Sequence, residues 1–180
     1  MSSKDYTNIR NILITGSPGV GKTTVIMRLV EYLSDRKVAG FYTEEIRRGG
    51  QRLGFRVETF AGESAVLAHV DIKSQQRVSR YGVDVAAFEK LILLELSRPC
   101  DIIIIDEIGK MECFSHPFIT AVLQLLDKSI PVVATIAVKG GGFISEVKDR
   151  DDVEIWQVNK VNRDELPRQL AQAVSLLAGQ

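Results

Sequence analysis

The sequence predicts an α/β layered domain with a mainly parallel central sheet and an added β-hairpin. Three observations carry this expectation. Short β-branched runs alternate with helix-spaced apolar segments along the 180 residues, the pattern of strands and helices packed in layers. Two of the runs, Ile102 to Ile105 and Pro131 to Ala137, are unbroken, as in strands covered on both faces. The stretch GSPGVGKTT, Gly16 to Thr24, lies between the apolar run Ile12 to Ile14 and a helix-spaced segment, so it joins a strand to a helix.

The elements follow in order. Arg10 to Thr15 reads as the first strand, and Val25, Leu29, Val30 and Leu33 mark a helix running to about Ser34. Ala39 to Arg47 and Arg52 to Phe60 are rich in β-formers and flank Gly49-Gly50, which reads as a hairpin. Ala65 to Val70 adds a short strand, while the polar stretch Ser74 to Gly82 reads as a surface loop. Asp84 is an N-cap residue, and Val85, Phe88, Leu91, Ile92 and Leu96 recur at helical spacing up to Ser97, before Pro99. Ser115 to Asp127 forms another helix, and Leu166, Leu170, Ala173 and Leu177 mark a final amphipathic one. With no repeat, linker or low-complexity segment, a single domain over residues 1–180 is expected, with 1–8 flexible.

Composition narrows the function classes. Twenty-three basic and 23 acidic residues give a formal net charge of zero, so the overall field does not indicate nucleic acid as a partner. The cluster Arg47, Arg48 and Arg52 is a candidate local basic patch, against the reading of a solvated hairpin tip beside the glycine turn. Cys100 and Cys113 form neither a disulfide framework nor a zinc site with only two histidines present. The first ten residues lack the apolar core of a signal peptide, and no run approaches a membrane span. A reducing cytoplasm is the expected compartment.

Within GSPGVGKTT, Gly16, Gly21, Lys22 and Thr23 satisfy G-x-x-x-x-G-K-[ST], the phosphate-binding loop pattern. Glycines let several backbone N–H groups, over Gly16, Ser17, Pro18, Gly19, Val20 and Gly21, wrap toward one anion, although Pro18 itself has no N–H to give. The N-terminus of the following helix adds the positive end of its dipole. Lys22 is expected to reach the β- and γ-phosphates, with Thr23 holding magnesium, Mg²⁺, and Thr24 completing the nucleotide contacts. The alternative is a plain glycine-rich turn.

The run DIIIIDEIGKME ends a buried strand in Asp106 and Glu107. Ligands of open α/β sheets lie along the C-terminal edge of the strands, where an acidic group can hold Mg²⁺. Asp106 fits that part. Glu107 beside it fits polarisation of a water for in-line attack on a γ-phosphate, and Gly109 and Lys110 continue the same nucleotide-facing segment.

GSPGVGKTT, GFYTEEIR, LGFRVET, DEIGKME and NRDEL, in this order, resemble the small P-loop nucleoside-triphosphatase family that includes the human cancer-related nucleoside-triphosphatase. The similarity runs from about Ile12 to the last helix. It implies a RecA-like arrangement, Mg²⁺-dependent hydrolysis of nucleoside triphosphates, and tolerance of ATP, GTP, CTP and UTP. By the same resemblance Gly16, Gly21, Lys22 and Thr23 bind phosphate, Asp106 and Glu107 serve metal and water, and Lys110 and Glu112 match without a clear role.

Arg47, Arg80, Arg150 and Arg163 are candidates for stabilising transition-state charge. Arg163 stands out because it lies in the NRDEL segment. Lys139 to Gly142 follows a buried strand and reads as a turn near the nucleotide rim. Trp156, between Ile155 and Val158, reads as a packing residue, and His69 and His116 as structural or solvated. A small-molecule or nucleotide kinase shares the loop and the size, but no Arg-rich lid segment is evident. A nucleotide-gated module acting on nucleic acid is the third reading. Replacing Lys22 with Ala is expected to weaken triphosphate binding and nearly abolish phosphate release in a protein that still folds, checked by nucleotide titration, circular dichroism and a phosphate assay.

Overall fold

The computed structural model describes residues 8–178. The flexible segment expected over residues 1–8 falls outside that range except for Asn8.

Among the described residues nine strands form one sheet in the order β5-β6-β4-β3-β2-β7-β8-β1-β9. The parallel core consists of β2 (Val38–Arg48), β7 (Ile102–Ile108), β8 (Val132–Ile136), β1 (Asn11–Thr15) and β9 (Val153–Gln157). Beyond β2 the sheet turns antiparallel through β3 (Gln51–Thr59), β4 (Ser64–His69), β6 (Tyr81–Val83) and β5 (Arg77–Val78).

Helices α1 (Lys22–Tyr32) and α5 (Leu166–Leu177) pack on one face. On the other lie α2 (Val85–Leu96), α3 (His116–Leu126) and the short α4 (Phe143–Lys148). The unbroken apolar strands explain this two-sided cover. Ile102 and Ile104 enter the core layer under α1 and α5, whereas Ile103 and Ile105 enter the opposite layer, because successive strand side chains point to opposite faces. That opposite layer centres on Phe41, Phe88 and Phe118, whose rings meet edge to face at 5.3–5.9 Å between centroids. Local signals act as expected: Asp84 caps α2 by accepting from Ala87 N–H at 2.9 Å, and Ser115 caps α3 by accepting from Phe118 N–H at 3.0 Å.

Three segments differ from the sequence expectation. Ser74 to Gly82 is not simply a surface loop: Arg77–Val78 and Tyr81–Val83 form a small ribbon joined through Ser79 and Arg80. Tyr81 is buried there, edge to face with Phe55 at 5.3 Å. The strand β9 and the helix α4 also form where no element was expected. Strand β9 completes the edge beside β1, although only Val153 of its five residues is buried, which leaves too short an apolar signature to read as a strand.

Strand β2 is the pivot. Val38 to Phe41 pair in parallel with β7, and from Phe41 onward the same strand pairs antiparallel with β3. The hairpin therefore projects past the C-terminal edge of the parallel core. Gly40 sits in the parallel stretch at φ 120°, and a Cβ there would lie 1.9 Å from the Ile104 carbonyl oxygen. Its N–H also donates to Glu95 Oε1 at 3.1 Å. Gly40→Ala is expected to cost about 2–4 kcal/mol, from backbone strain and forced separation of β2 from β7, measured as a lowered midpoint in urea unfolding.

Candidate functional site

The phosphate loop joins β1 to α1 at the C-terminal edge of the sheet. Gly16 is buried, and a Cβ there would lie 2.7 Å from the Val158 carbonyl oxygen and 3.0 Å from Val20 Cγ1. Only glycine allows the loop to start this close to the segment after β9. Val20 is itself buried in the core layer beneath, which anchors the loop while Ser17, Pro18 and Gly19 remain exposed.

Asp106 is the most deeply set of the candidate residues, 2% exposed. Thr23 Oγ1 donates to its Oδ2 at 2.6 Å, and Thr135 Oγ1 on β8 donates to its Oδ1. Burial pushes the Asp106 carboxyl above the ordinary range, against the two hydroxyl donors, the Lys22 charge and a backbone hydrogen bond from Thr43. The ladder between β7 and β8 shifts register between Ile105 and Ile108, so Asp106 and Glu107 sit where regular pairing is interrupted.

Lys22 Nζ donates to the Gly16 carbonyl at 3.1 Å and lies 3.9 Å from Glu107 Oε2. The Glu107 side chain is 35% exposed. Desolvation raises its carboxyl, Lys22 lowers it, and Asp106 raises it again. Glu112, in the 3₁₀ turn Glu112–Phe114 before α3, is buried. Desolvation first, then the Glu107 charge, lift it to about 8. Gly109 lies between these carboxylates: a Cβ on it would be 2.8 Å from both Glu107 Oε1 and Glu112 Oε2.

Lys22, Asp106, Glu107 and Glu112 line a cavity of about 1030 Å³. Of the residues expected to contact nucleotide, Gly16, Ser17, Pro18, Gly19, Gly21, Lys22, Thr23, Asp106, Glu107 and Lys110 line it. Val20, Thr24 and Gly109 are not among its lining residues. The donor set fits Mg²⁺, which takes hard oxygen ligands, typically one or two from protein with the rest from water and phosphates. Thr23 and Asp106 supply such oxygens side by side.

The structure separates the arginines. The Arg163 side chain reaches the start of α1, with Cδ 3.8 Å from the position of a Gly21 Cβ. Arg150 is at the opposite end of the sheet, paired with Asp152 and Asp127 at 2.8 and 2.7 Å. Arg47 pairs with Glu45 on the hairpin, and Arg80 donates to the Arg52 carbonyl beside the Tyr81 ring. Lys139 lines the main cavity, and Gly140 and Gly141 line a smaller neighbour. Trp156 packs on the core layer under α1 and α5. His69 pairs with Asp71 at 3.4 Å, and His116 is exposed at the start of α3.

Two site residues escaped the sequence reading. Thr135 is a lone hydroxyl in the apolar run VVATI, a signal that such a buried group needs a polar partner. Arg52 faces the cavity instead of standing on a solvated tip; its Nε donates to the Tyr81 hydroxyl at 3.1 Å and its Nη1 to Glu45 at 2.6 Å.

A family described as NTPase matches residues 11–171. The chain belongs to this NTPase family. Nucleoside-triphosphatase THEP1 of Thermotoga maritima is 40% identical over 172 residues, covering 94% of this chain and 98% of that protein. The human cancer-related nucleoside-triphosphatase is 42% identical over 175 residues, covering 87% and 92%. The crystal structure of THEP1 from Aquifex aeolicus matches the fold with a TM-score of 0.83 at 35% identity, covering 91% of this chain and 98% of that one. The P-loop NTPase fold and the family resemblance are thereby both established for this chain.

Glu112 makes stability depend on pH. Its carboxyl, near 4.5 when unfolded and about 8 when folded, binds more protons in the folded state between those values. The associated stabilisation is complete below about pH 4.5 and is lost as pH rises through about 8. Asp106 and Glu107 act in the same direction. Glu112→Gln is therefore expected to flatten the decline and to be relatively more stable at the alkaline end, checked by urea unfolding of both proteins across this pH range.

Proposed function

We propose that the chain hydrolyses nucleoside triphosphates to diphosphate and phosphate, with Glu107 activating the attacking water. The observation that carries this reading is the pairing of Lys22 and Glu107 across the mouth of the phosphate loop, beside the buried Asp106. The names of its relatives support the same activity.

In this reading the loop N–H groups and Lys22 hold the β- and γ-phosphates. Thr23 and Asp106 hold Mg²⁺, which when bound neutralises phosphate charge. Thr135 and Thr23 keep the Asp106 carboxylate oriented toward the phosphates. Glu107, half-buried and raised by desolvation, has a basicity closer to neutral pH than an ordinary carboxylate and accepts a proton from water. Lys22 lies near the same carboxylate and keeps it ionised. Glu112, holding its proton at neutral pH, limits the negative charge that Glu107 would otherwise face.

Base tolerance follows if the base contacts little beyond the exposed loop after β9, where Val161 is 93% exposed. The whole chain acts as one catalytic domain, and the free, partly buried Cys100 and Cys113 suit a reducing cytoplasm.

Replacing Glu107 with Gln preserves shape and removes basicity. It is expected to lower single-turnover phosphate release by about 10²–10⁴ while leaving nucleotide affinity near wild type. Asp106→Ala should weaken Mg²⁺-dependent nucleotide binding as well as rate. Both effects should recur with ATP, GTP, CTP and UTP, whose kcat/KM values differ by less than about 100-fold in the wild type. Near-normal hydrolysis by the Gln variant would remove Glu107 from the mechanism.

A further inference from the structure

The cavity has two halves, with Glu107 between them. One half is the phosphate loop. The other lies under the projecting hairpin, where Phe55, Leu67, Val78 and Met111 form an apolar lining, Arg52 and Lys110 contribute cations and Glu44 and Glu45 contribute carboxylates. Sheet order fixes this division: the end of β7, with Asp106 and Glu107, separates the loop after β1 from strands β2, β3 and β4. A triphosphate whose terminal phosphate rests at Lys22 leaves the second half on the side from which an in-line nucleophile approaches. A water occupies only about 30 Å³, whereas the whole cavity, about 1030 Å³, is at the upper end of the range for sites that enclose small organic ligands. Attack by water alone gives no reason for an apolar floor.

We propose that this second half binds an organic phosphoryl acceptor, and that the chain transfers the γ-phosphoryl group to a hydroxyl of that molecule. The inference rests on the placement of the γ-phosphate at Lys22 and Glu107 given above. In the transfer, the acceptor oxygen bonds to the γ-phosphorus while the bond from that phosphorus to the β–γ bridging oxygen breaks. The nucleoside diphosphate leaves with the electron pair, and the hydroxyl proton passes to Glu107. Hydrolysis is the same displacement with water as nucleophile.

The lining defines the acceptor's chemistry. The Glu107 carboxylate at the reacting end repels an anionic acceptor oxygen and suits a neutral hydroxyl that must lose a proton. Phe55, Leu67 and Val78 suit an apolar or planar middle; Leu67 is 1% exposed, so this floor belongs to the core. The Arg52 guanidinium lies over the Phe55 ring, with Cζ 5.1 Å from its centroid, and is fixed by Tyr81 and Glu45. Lys110 is exposed and makes no hydrogen bond or ion pair among the described residues. Together they suit an anionic substituent on the far side of the molecule. A neighbouring cavity of about 420 Å³ shares Val78 and Lys110 and gives a longer acceptor room to extend.

The test incubates the full chain with γ-labelled ATP and Mg²⁺, alone and with pantothenate, mevalonate, pyridoxine or uridine as probes. The first two pair a hydroxyl with a carboxylate, and the last two are neutral rings bearing hydroxyls. The expected result is label in an organic phosphate with at least one probe. Val78→Trp, which fills the compartment from an edge strand, should lower that transfer at least about tenfold and change phosphate release without probe by less than about threefold. Arg52→Ala should penalise the carboxylate probes more than the neutral ones. Label appearing only as inorganic phosphate with all four probes, at a rate none of them alters, overturns the proposal. So does transfer that Val78→Trp and Met111→Trp both leave unchanged. Absence of phosphate release even without probe would instead defeat the triphosphatase reading.

Discussion

A carboxylate that is 2% exposed organises the site. Asp106 is held inside the protein chiefly by two hydroxyls that donate to it, Thr23 from the first turn of α1 and Thr135 from β8. An unpartnered buried carboxylate would cost far more than either hydrogen bond contributes. Satisfying it therefore ties together the loop after β1, the end of β7 and the strand between them. The position of Lys22 relative to Glu107 follows from that tie, since Lys22 is the residue before Thr23 and Glu107 is the residue after Asp106.

Around that anchor, burial sets the charge states. Asp106, Glu107 and Glu112 are all raised chiefly by desolvation, and one ammonium, Lys22, offsets the first two. Glu112 sits close enough to Glu107 that a side chain on Gly109 would touch both. Three ionised carboxylates in so small a volume would repel one another strongly. Keeping Glu112 protonated limits the negative charge that Glu107 faces. Depth, together with the charges of Lys22 and Glu107, thus sets the three carboxyls of this segment apart.

The annex of antiparallel strands gives the site its far wall. Strand β2 pairs first in parallel with β7 and then antiparallel with β3 within one sheet, and its parallel half depends on Gly40 lying against the Ile104 carbonyl. Glu95, buried in α2, accepts from Gly40 N–H at 3.1 Å and forms an ion pair with Arg98 at 2.8 Å, which fixes the strand against the helix that covers it. Because β2 outlasts its partner β7, the hairpin overhangs the C-terminal edge. Arg52 and Phe55 reach the cavity for that reason, and the short ribbon β5-β6 closes the side by burying Tyr81 against Phe55.

The sequence by itself determined the parallel core, the phosphate loop and the acidic pair, because these depend on short-range rules. Unbroken β-branched runs demand cover on both faces, glycines at fixed offsets permit one anion-binding turn, and carboxylates at a strand's end face the ligand edge. The resemblance carried by GFYTEEIR and DEIGKME extended this to a family. Strand β9 was not legible, since one buried residue in five leaves no period to read, and the 74–82 segment looked polar because its burial rests on Tyr81 and Gly82 at its end. Only the tertiary structure decided that Thr135 serves Asp106, that Arg163 lies by Gly21 while Arg150 sits at the far end, and that Arg52 turns into the cavity. Those contacts join residues distant in the chain, and such pairings arise from sheet order and register, which no local pattern encodes.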